Sequence, residues 1–309
     1  MATVKRRSLI RHIASASAFF GCSGCKNNVF FEAFPEGSSS EKKSQSPGAL
    51  SLKQEKDLLF PLDEDPQVQI PTFDPEKSRT FDQYHREDII VTDKNRKSLF
   101  YSTYKKLGQV QKFVGFGHFN VIDFEETIRI SKRSSRLAAF TPQEISLIDE
   151  LFHYDARQYG FFGHKVSTSL TARIDSKSIS KIPGSGHYLL LGPSHDKYQK
   201  IRAEIGNKII LTSGIRGVIK QTYLFLNKAV HADWNLSLAS RSLAPPGYSW
   251  HNAGDFDIGK QGFGMDNFTS RFSNTDEYKK LVDMGIAIRY PEGNTTGVRF
   301  EPWHIRMES

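Results

Sequence analysis

The sequence predicts an α+β fold with a small sheet and helices packed on it. The run Lys208–Ser213 is typical of a buried strand, and the apolar residues from Ile215 to Ala229 that follow have helical spacing. A second helix and strand are predicted at Asp276–Gly285 and Ile286–Tyr290. The stretch Gly297–Met307 has the pattern of a further extended strand.

A well-marked helix start precedes these elements at Thr141-Pro142-Gln143-Glu144. Threonine at the N-cap, proline at the first helical position and glutamate three residues after the cap form a capping box. Apolar residues then follow at helical spacing, and Gly160 is a suitable stop. We expect this helix to open a folded domain that covers residues 141–309.

The composition is compatible with only some classes of protein. Its 309 residues are 38% hydrophobic, which is enough for a core in one large domain or two small ones. The net charge of +8 and the pI near 9.3 suit an anionic neighbourhood, or only keep the protein soluble. No nucleic-acid motif is present, so we expect no nucleic-acid partner. No apolar run is long enough to predict a membrane span.

The N-terminus predicts export. Residues 1–25 begin with the basic stretch Lys5–Arg11 and continue with the weakly apolar run Ile13–Gly21, which resembles a twin-arginine signal. Cys22 or Cys25, the only cysteines of the chain, could carry the lipid of a lipoprotein, and no disulfide can form downstream of them. The alternative is an organelle transit peptide, because the segment is rich in serine and arginine and has no acid before residue 32.

Two segments separate this signal from the domain at residues 141–309. Residues 26–87 contain much Ser, Lys, Glu and Pro and few periodic apolar residues, which predicts a flexible, disordered linker. Residues 88–140 contain short runs that look like strands, such as Asp88–Val91 and Val114–Phe119. We interpret them as a folded accessory segment, and the sequence indicates no role for it.

Two short stretches carry the chemistry. They are Ser249–Asp257 and Glu301–His304. A catalytic zinc is held by three protein ligands, with a fourth position open to water and a carboxylate beside that water. The ligands in this hypothesis are His251, Asp257 and His304. Glu301 is then the carboxylate that takes the proton from the water.

The order of these motifs resembles that of the zinc D-alanyl-D-alanine carboxypeptidases and their dipeptidase relatives. The pattern S-x-H-x-x-G, a following Asp, and then E-x-W-H are all present, and Ser213–Gln221 reproduces the S-G-x-R-x-x-x-x-Q segment. The resemblance covers roughly residues 141–309. It implies the antiparallel sheet that this family shares with lysostaphin-type peptidases and the hedgehog domain. It also implies substrate contacts from Arg216, Gln221 and Ser249, with Arg216 on a carboxylate or on the oxyanion.

The sequence departs from the family pattern at the aspartate. Asp257 lies six residues after His251, where the family has seven, so Asp255 is a competing ligand. We prefer Asp257 because an aliphatic residue follows it as in the family, and a turn at Gly254 can absorb the missing residue. Glu301 and His304 raise a similar question, because residues three apart on a straight strand face opposite sides. Pro302 between them is expected to disturb the pairing.

The resemblance implies a zinc D,D-carboxypeptidase that releases the terminal D-alanine from peptidoglycan stem peptides. Alternatives are an endopeptidase of the same fold and a zinc-stabilised wall-binding protein without catalysis. We expect a monomer in the periplasm or cell envelope, with a lipid anchor if either cysteine is lipidated.

Overall fold

The computed structural model describes residues 72–308, which belong to one unit of the chain. The predicted export signal, the lipidation sites and most of the predicted linker lie outside the described residues. Within residues 72–308 no helix combines the length and the apolar character that crossing a membrane requires.

Nine α-helices occur among the described residues. They are α1 Pro75–Arg79, α2 Lys94–Val114, α3 Phe116–Phe119, α4 Phe124–Arg133, α5 Pro142–His153, α6 Pro193–Ile205, α7 Val218–His231, α8 Leu236–Ser240 and α9 Asp276–Asp283.

Six strands in the same part of the chain form two antiparallel sheets. They are β1 Ile179–Lys181, β2 Tyr188–Leu190, β3 Ile209–Ser213, β4 Phe256–Lys260, β5 Ile288–Tyr290 and β6 Glu301–Ile305. Strands β1 and β2 pair with each other, and the larger sheet has the order β3-β4-β6-β5. The predicted α+β fold with a small antiparallel sheet is therefore confirmed.

Helix α5 begins as its sequence predicts. The Thr141 hydroxyl accepts from the Glu144 N–H at 3.2 Å, and the Glu144 carboxylate accepts from the Thr141 N–H at 2.8 Å. The helix ends at His153, however, because Tyr154 takes an extended conformation. Gly160, with φ of +81°, ends the following 3-10 turn instead. The prediction that the helix ends at Gly160 was therefore wrong, because a 3-10 turn lies between the end of the helix and this glycine.

The interpretation of residues 88–140 as strand-like was wrong, because this segment is mainly helical. Helix α2 buries Phe100, Leu107 and Val110, whose three- and seven-residue spacing follows one helix face. Polar residues separate these buried positions, so the helical period is not visible in short apolar runs. Val114–Phe119 falls at the end of α2 and in α3, and around Asp88–Val91 only the isolated bridge from Ile90 to Asn235 is strand-like.

The accessory segment shares a hydrophobic core with the region that follows it. The members of this first core come from α2, α5, α7 and α8 and from the loops beside them. A second core lies between the larger sheet and the helices α6 and α9, which pack against it. The packing therefore has no boundary at residue 140, and helix α7 leads from the end of the larger sheet into the first core.

Part of the predicted linker is also folded onto this body. Residues 72–87 include α1, and the Tyr84 hydroxyl donates to Asp233 at 2.9 Å. The guanidinium of Arg241 donates to the Gln83 carbonyl at 2.8 Å and pairs with Asp88. Both side chains of the Arg241–Asp88 pair are almost fully buried, at 3% and 1% exposure.

Removing this buried carboxylate should cost much of the stability. Asp88→Ala leaves the Arg241 guanidinium buried without its counter-charge, so the free energy of unfolding should fall by about 3–5 kcal/mol. Urea unfolding of both proteins measures the loss. Arg79→Ala, which removes an exposed pair with Glu76, is the matched control and should cost less than about 1 kcal/mol. An equally small loss for Asp88→Ala would contradict this assignment.

Candidate metal centre and active site

The motif residues converge on one cleft of about 450 Å³. Its walls include residues of β3, β6, the start of α7 and the loop that leads into the Ser249 motif. Each of the sequence-predicted site residues lines it. They are Arg216, Gln221, Ser249, His251, Asp257, Glu301 and His304.

Strand pairing brings the two motifs together. In the register of β4 and β6, Asp257 is the direct partner of His304 across the strands. His251 lies in the 3-10 turn Trp250–Asn252, just before β4. Residues almost fifty apart in sequence thus become neighbours in space.

Three side chains form a tight buried cluster of metal-ligating groups. His251 Nε2 lies 3.3 Å from one oxygen of Asp257, and His304 Nδ1 lies 3.5 Å from the other. One ligand atom from each of the three residues can be chosen so that all lie within 4.8 Å of one another. All three residues are at most 6% exposed. The two separations of 3.3 and 3.5 Å are close to the roughly 3.4 Å expected between the ligands of a tetrahedral zinc bound at about 2.0–2.1 Å.

The other nitrogen of each imidazole is fixed by a partner outside the cluster. His251 Nδ1 lies 2.8 Å from the Gly214 carbonyl, and His304 Nε2 lies 3.1 Å from Asp255. Such partners set the tautomer and the orientation of ligating histidines. Gly214 has to be glycine, because a Cβ there would lie 2.0 Å from the Tyr188 carbonyl oxygen.

The two competing aspartates have different surroundings. Asp255 accepts two hydrogen bonds from Arg289, at 2.7 and 2.9 Å, and one from the Met307 N–H at 2.8 Å. Asp257 faces both imidazoles, and its Oδ1 is buried without a hydrogen-bond donor among the described residues. The geometry therefore favours Asp257 for the cluster and makes Asp255 the support behind His304.

Gly254 supplies the turn that the short spacing requires. Its φ of +109° lies where only glycine is unstrained, and a Cβ there would come within 2.7 Å of the Ser194 hydroxyl. That hydroxyl donates to the Gly254 carbonyl at 2.8 Å and fixes the turn. The predicted turn at this glycine is confirmed.

Glu301 and His304 face the same side, as the disturbed pairing at Pro302 predicts. Strand β6 spans five residues, from Glu301 to Ile305, where β5 spans only three, from Tyr290 to Ile288. This irregularity brings Glu301 Oε2 to 3.2 Å from His304 Nδ1. Glu301 is therefore within reach of an atom bound at the cluster.

Arg216 extends toward the cluster from the loop between β3 and α7. One of its terminal nitrogens lies 3.8 Å from Asp257, and the other donates to Gln221 at 3.3 Å. The Gln221 amide in turn donates to the Ala244 carbonyl, so this residue holds Arg216 in position. Ser249 is 5% exposed and precedes the turn that carries His251.

Electrostatics give the three cluster residues different protonation states at neutral pH. Burial, with Arg216 next in effect, lowers the pKa of His251 to about 4, so this ring is neutral. Burial alone would raise the pKa of Asp257, but His251, His304 and Arg216 outweigh it and hold the pKa below its ordinary value. Burial would lower the pKa of His304, yet hydrogen bonds to Asp255 and Glu301 raise it to about 9. A metal ion at this cluster therefore has to displace a proton from His304.

Several residues in or behind the cleft could not be found from motifs. Arg289 stacks over Trp250 at 4.0 Å while it holds Asp255, and the ring of Tyr290 packs edge-on against His304. His187 and Lys220 line the cleft as well. The one available signal for Arg289 and Tyr290 was their place in a predicted strand of the same small sheet.

His187 makes the stability of the metal-free protein depend on pH. Burial, reinforced by Arg216, lowers its pKa to about 4, below the value of about 6.5 for an unfolded chain. Between these values the unfolded state binds more protons, so stability falls as the pH drops from 6.5 toward 4. In His187→Gln this slope should be shallower by up to about 1.4 kcal/mol per pH unit. Urea unfolding in chelator at pH 6.5 and 4.5 measures it, with exposed His153→Gln as the control, and an unchanged slope would contradict the assignment.

Comparisons with known proteins show what this part of the chain is similar to. Residues 194–308 match the family model "VanY: D-alanyl-D-alanine carboxypeptidase". This is shorter than the resemblance of residues 141–309 but includes every predicted site residue. A search of curated proteins gave no match.

Solved structures with local likeness include three peptidases. The LdcB LD-carboxypeptidase is 25% identical, with a TM-score of 0.35, over 42% of this chain and 63% of that chain. A vancomycin-resistance D,D-pentapeptidase VanY in complex with Zn(II) is 26% identical, with a TM-score of 0.32, over 41% of this chain and 76% of that one. VanYB in complex with D-alanine-D-alanine is 22% identical, with a TM-score of 0.35, over 47% and 83%. The chain thus spans less than two thirds of the first of these.

The family match and the motif residues lie in the same stretch of the chain. Residues 194–308 are thus similar to the VanY-like D-alanyl-D-alanine carboxypeptidases.

Proposed function

We propose that the protein is a zinc-dependent D-alanyl-D-alanine carboxypeptidase that acts on peptidoglycan stem peptides. The observation that carries this proposal is the buried cluster of His251, Asp257 and His304 with Glu301 beside it. The VanY-like family supplies the substrate class. Export to the cell envelope, a lipid anchor at Cys22 or Cys25 and a monomeric state remain predictions from the sequence.

The donor set suits zinc. Two imidazoles and one carboxylate are a ligand set that catalytic zinc accepts. His251 Nε2 and Asp257 Oδ1 are buried without hydrogen-bond partners among the described residues, and such atoms are costly unless a ligand satisfies them. Zinc bound there would polarise the scissile carbonyl and lower the pKa of a bound water.

Glu301 is placed to act as the general base and acid. It is 7% exposed and lies beside His304 Nδ1, so it can take a proton from a water at the cluster and return it to the leaving amine. Arg216 brings a buried guanidinium next to Asp257, where it can stabilise the oxygen that becomes negative during attack. Ser249 and Gln221 complete this wall of the cleft, the first facing the substrate and the second holding Arg216.

The presence of Glu301 beside the cluster favours an enzyme over a protein that only binds the cell wall. A purely structural zinc site is closed by a fourth protein ligand and has no need of a free carboxylate beside it. Analysis of the reaction products distinguishes an enzyme that removes one terminal residue from one that cuts within the peptide.

Glu301→Ala should abolish hydrolysis and leave metal binding intact. A general base contributes about 10²–10⁴-fold to the rate, so release of D-alanine from a defined muropeptide should fall by at least that factor. Mass spectrometry of the products measures it, and loss of a single alanine by the unaltered protein also separates a carboxypeptidase from an endopeptidase. Glu292→Ala, at an exposed position, is the control. Retained hydrolysis in Glu301→Ala would remove Glu301 from this role.

Substitution of the two aspartates should distinguish the metal ligand, Asp257, from the residue that orients His304, Asp255. Asp257→Ala removes a ligand, so zinc should no longer co-purify or remain after dialysis. Asp255→Asn keeps the three ligands but loses the charge that orients His304, so zinc affinity should fall about 10–100-fold. Metal analysis and competition with a chelator measure both. If Asp257→Ala kept its zinc while Asp255→Asn lost it, the assignment would be reversed.

A further inference from the structure

The cleft has a second polar region beside Arg216, and the proposed chemistry uses none of its residues apart from that arginine. Asn120, His187 and Lys220 line it together with Arg216, and we call these four residues the basic wall. They come from the end of α3, the loop before β2, the first turn of α7 and the loop that precedes it. Three distant parts of the chain therefore bring nitrogen-bearing side chains to one place.

Lys220 is held there without a counter-charge. Its ammonium donates to the neutral amide oxygen of Gln111 at 2.6 Å and lies near the rings of Phe119 and Tyr223. Among residues 72–308 it forms no salt bridge, whereas the buried Arg241 and the half-buried Lys106 both pair with carboxylates. Burial, reinforced by Arg216, lowers the pKa of Lys220 to about 8, so the ammonium is still mostly charged at neutral pH.

Asn120 and His187 complete the wall with neutral donors. The Asn120 amide N–H donates to His187 Nδ1 at 3.4 Å, which leaves the ring proton on Nε2. The Asn120 carbonyl accepts from the Gly217 N–H at 2.7 Å and ties this residue to the start of α7. Because its pKa is about 4, His187 adds no charge at neutral pH.

The charges of the cleft are unbalanced toward positive. Apart from the imidazoles, its walls include three cations, Arg216, Lys220 and Arg299, against the two carboxylates of Asp257 and Glu301. Both carboxylates lie at the metal cluster. A partly buried ammonium without an acid partner is unfavourable unless a ligand supplies the anion.

We propose that Lys220, with Asn120 and His187, forms a subsite for a carboxylate of the substrate, separate from the carbonyl that is hydrolysed. This rests on the proposed function and assigns recognition of a carboxylate to residues that the motifs do not specify. The carboxylate is either the C-terminal one or that of a carboxylated side chain upstream. The accessory segment at residues 88–140 then takes part in recognition, because both Asn120 and the Gln111 that holds Lys220 belong to it.

Binding to a form that does not turn over tests this directly. The protein is zinc-loaded Glu301→Ala, and calorimetry compares three short peptides: N-acetyl-lysyl-D-alanyl-D-alanine, its C-terminal amide, and that amide with a carboxylated diamino acid in place of lysine. At least one peptide with a carboxylate should bind about tenfold or more tightly than the amide that has none. Which one does so identifies the source of the carboxylate.

Adding Lys220→Met to this protein should abolish that preference and leave binding of the amide that has no carboxylate unchanged. Lys220→Gln keeps a polar group beside Gln111 and guards against misfolding of the methionine variant. Lys177→Met, which removes an exposed lysine outside the cleft, is the charge-matched control and should keep the preference. The subsite is overturned if both Lys220 variants keep the preference, or if all three peptides bind equally or not at all.

Hydrolysis by the unaltered protein is measured separately. If it cleaves none of the peptides but binding still depends on Lys220, the proposed function fails and the subsite stands. If it cleaves them and the carboxylate has no effect on binding, the subsite fails and the proposed function stands.

Discussion

The antiparallel pairing of β4 with β6 is the constraint on which the site depends. It sets Asp257 directly across from His304, and the irregular pairing of β6 with β5 turns Glu301 to the same side. The His251 turn enters β4 through Gly254, so the first histidine joins the cluster only if that turn has its left-handed backbone. A change of register by one residue would move the acid to the other face of the sheet.

The groups around the cluster matter as much as the cluster. Asp255 holds His304, Arg289 holds Asp255, and the Gly214 carbonyl holds His251, so each imidazole is fixed by a partner outside the cluster. Gln221 does the same for Arg216. Helix α7 links this arrangement to the first core, since it begins beside Arg216 and buries Phe225 and Leu226 among the N-terminal helices. The helical layer thus supports one side of the cleft.

The motifs indicated the central residues that the structure brings to one cleft, because these residues lie close together within two short stretches of the sequence. Short spacings in Ser249–Asp257 and Glu301–His304 already indicate which groups meet, and Pro302 indicates the irregular strand. The choice between Asp255 and Asp257 needed the conformation of Gly254, which a sequence does not display. Lys220, His187 and Asn120 were out of reach because only tertiary packing brings them together. Helix α2 was missed for a different reason, since its buried residues are widely spaced among polar ones and tertiary burial decided its structure.

The central claim is that His251, Asp257 and His304 bind one metal ion. Crystals of the protein grown with zinc, with diffraction measured on both sides of the zinc absorption edge, test it most directly. The account predicts one anomalous peak per chain within bonding distance of His251 Nε2, an Asp257 oxygen and His304 Nδ1, with Glu301 facing the open position. A peak elsewhere, or ligation by Asp255 in place of Asp257, would contradict it.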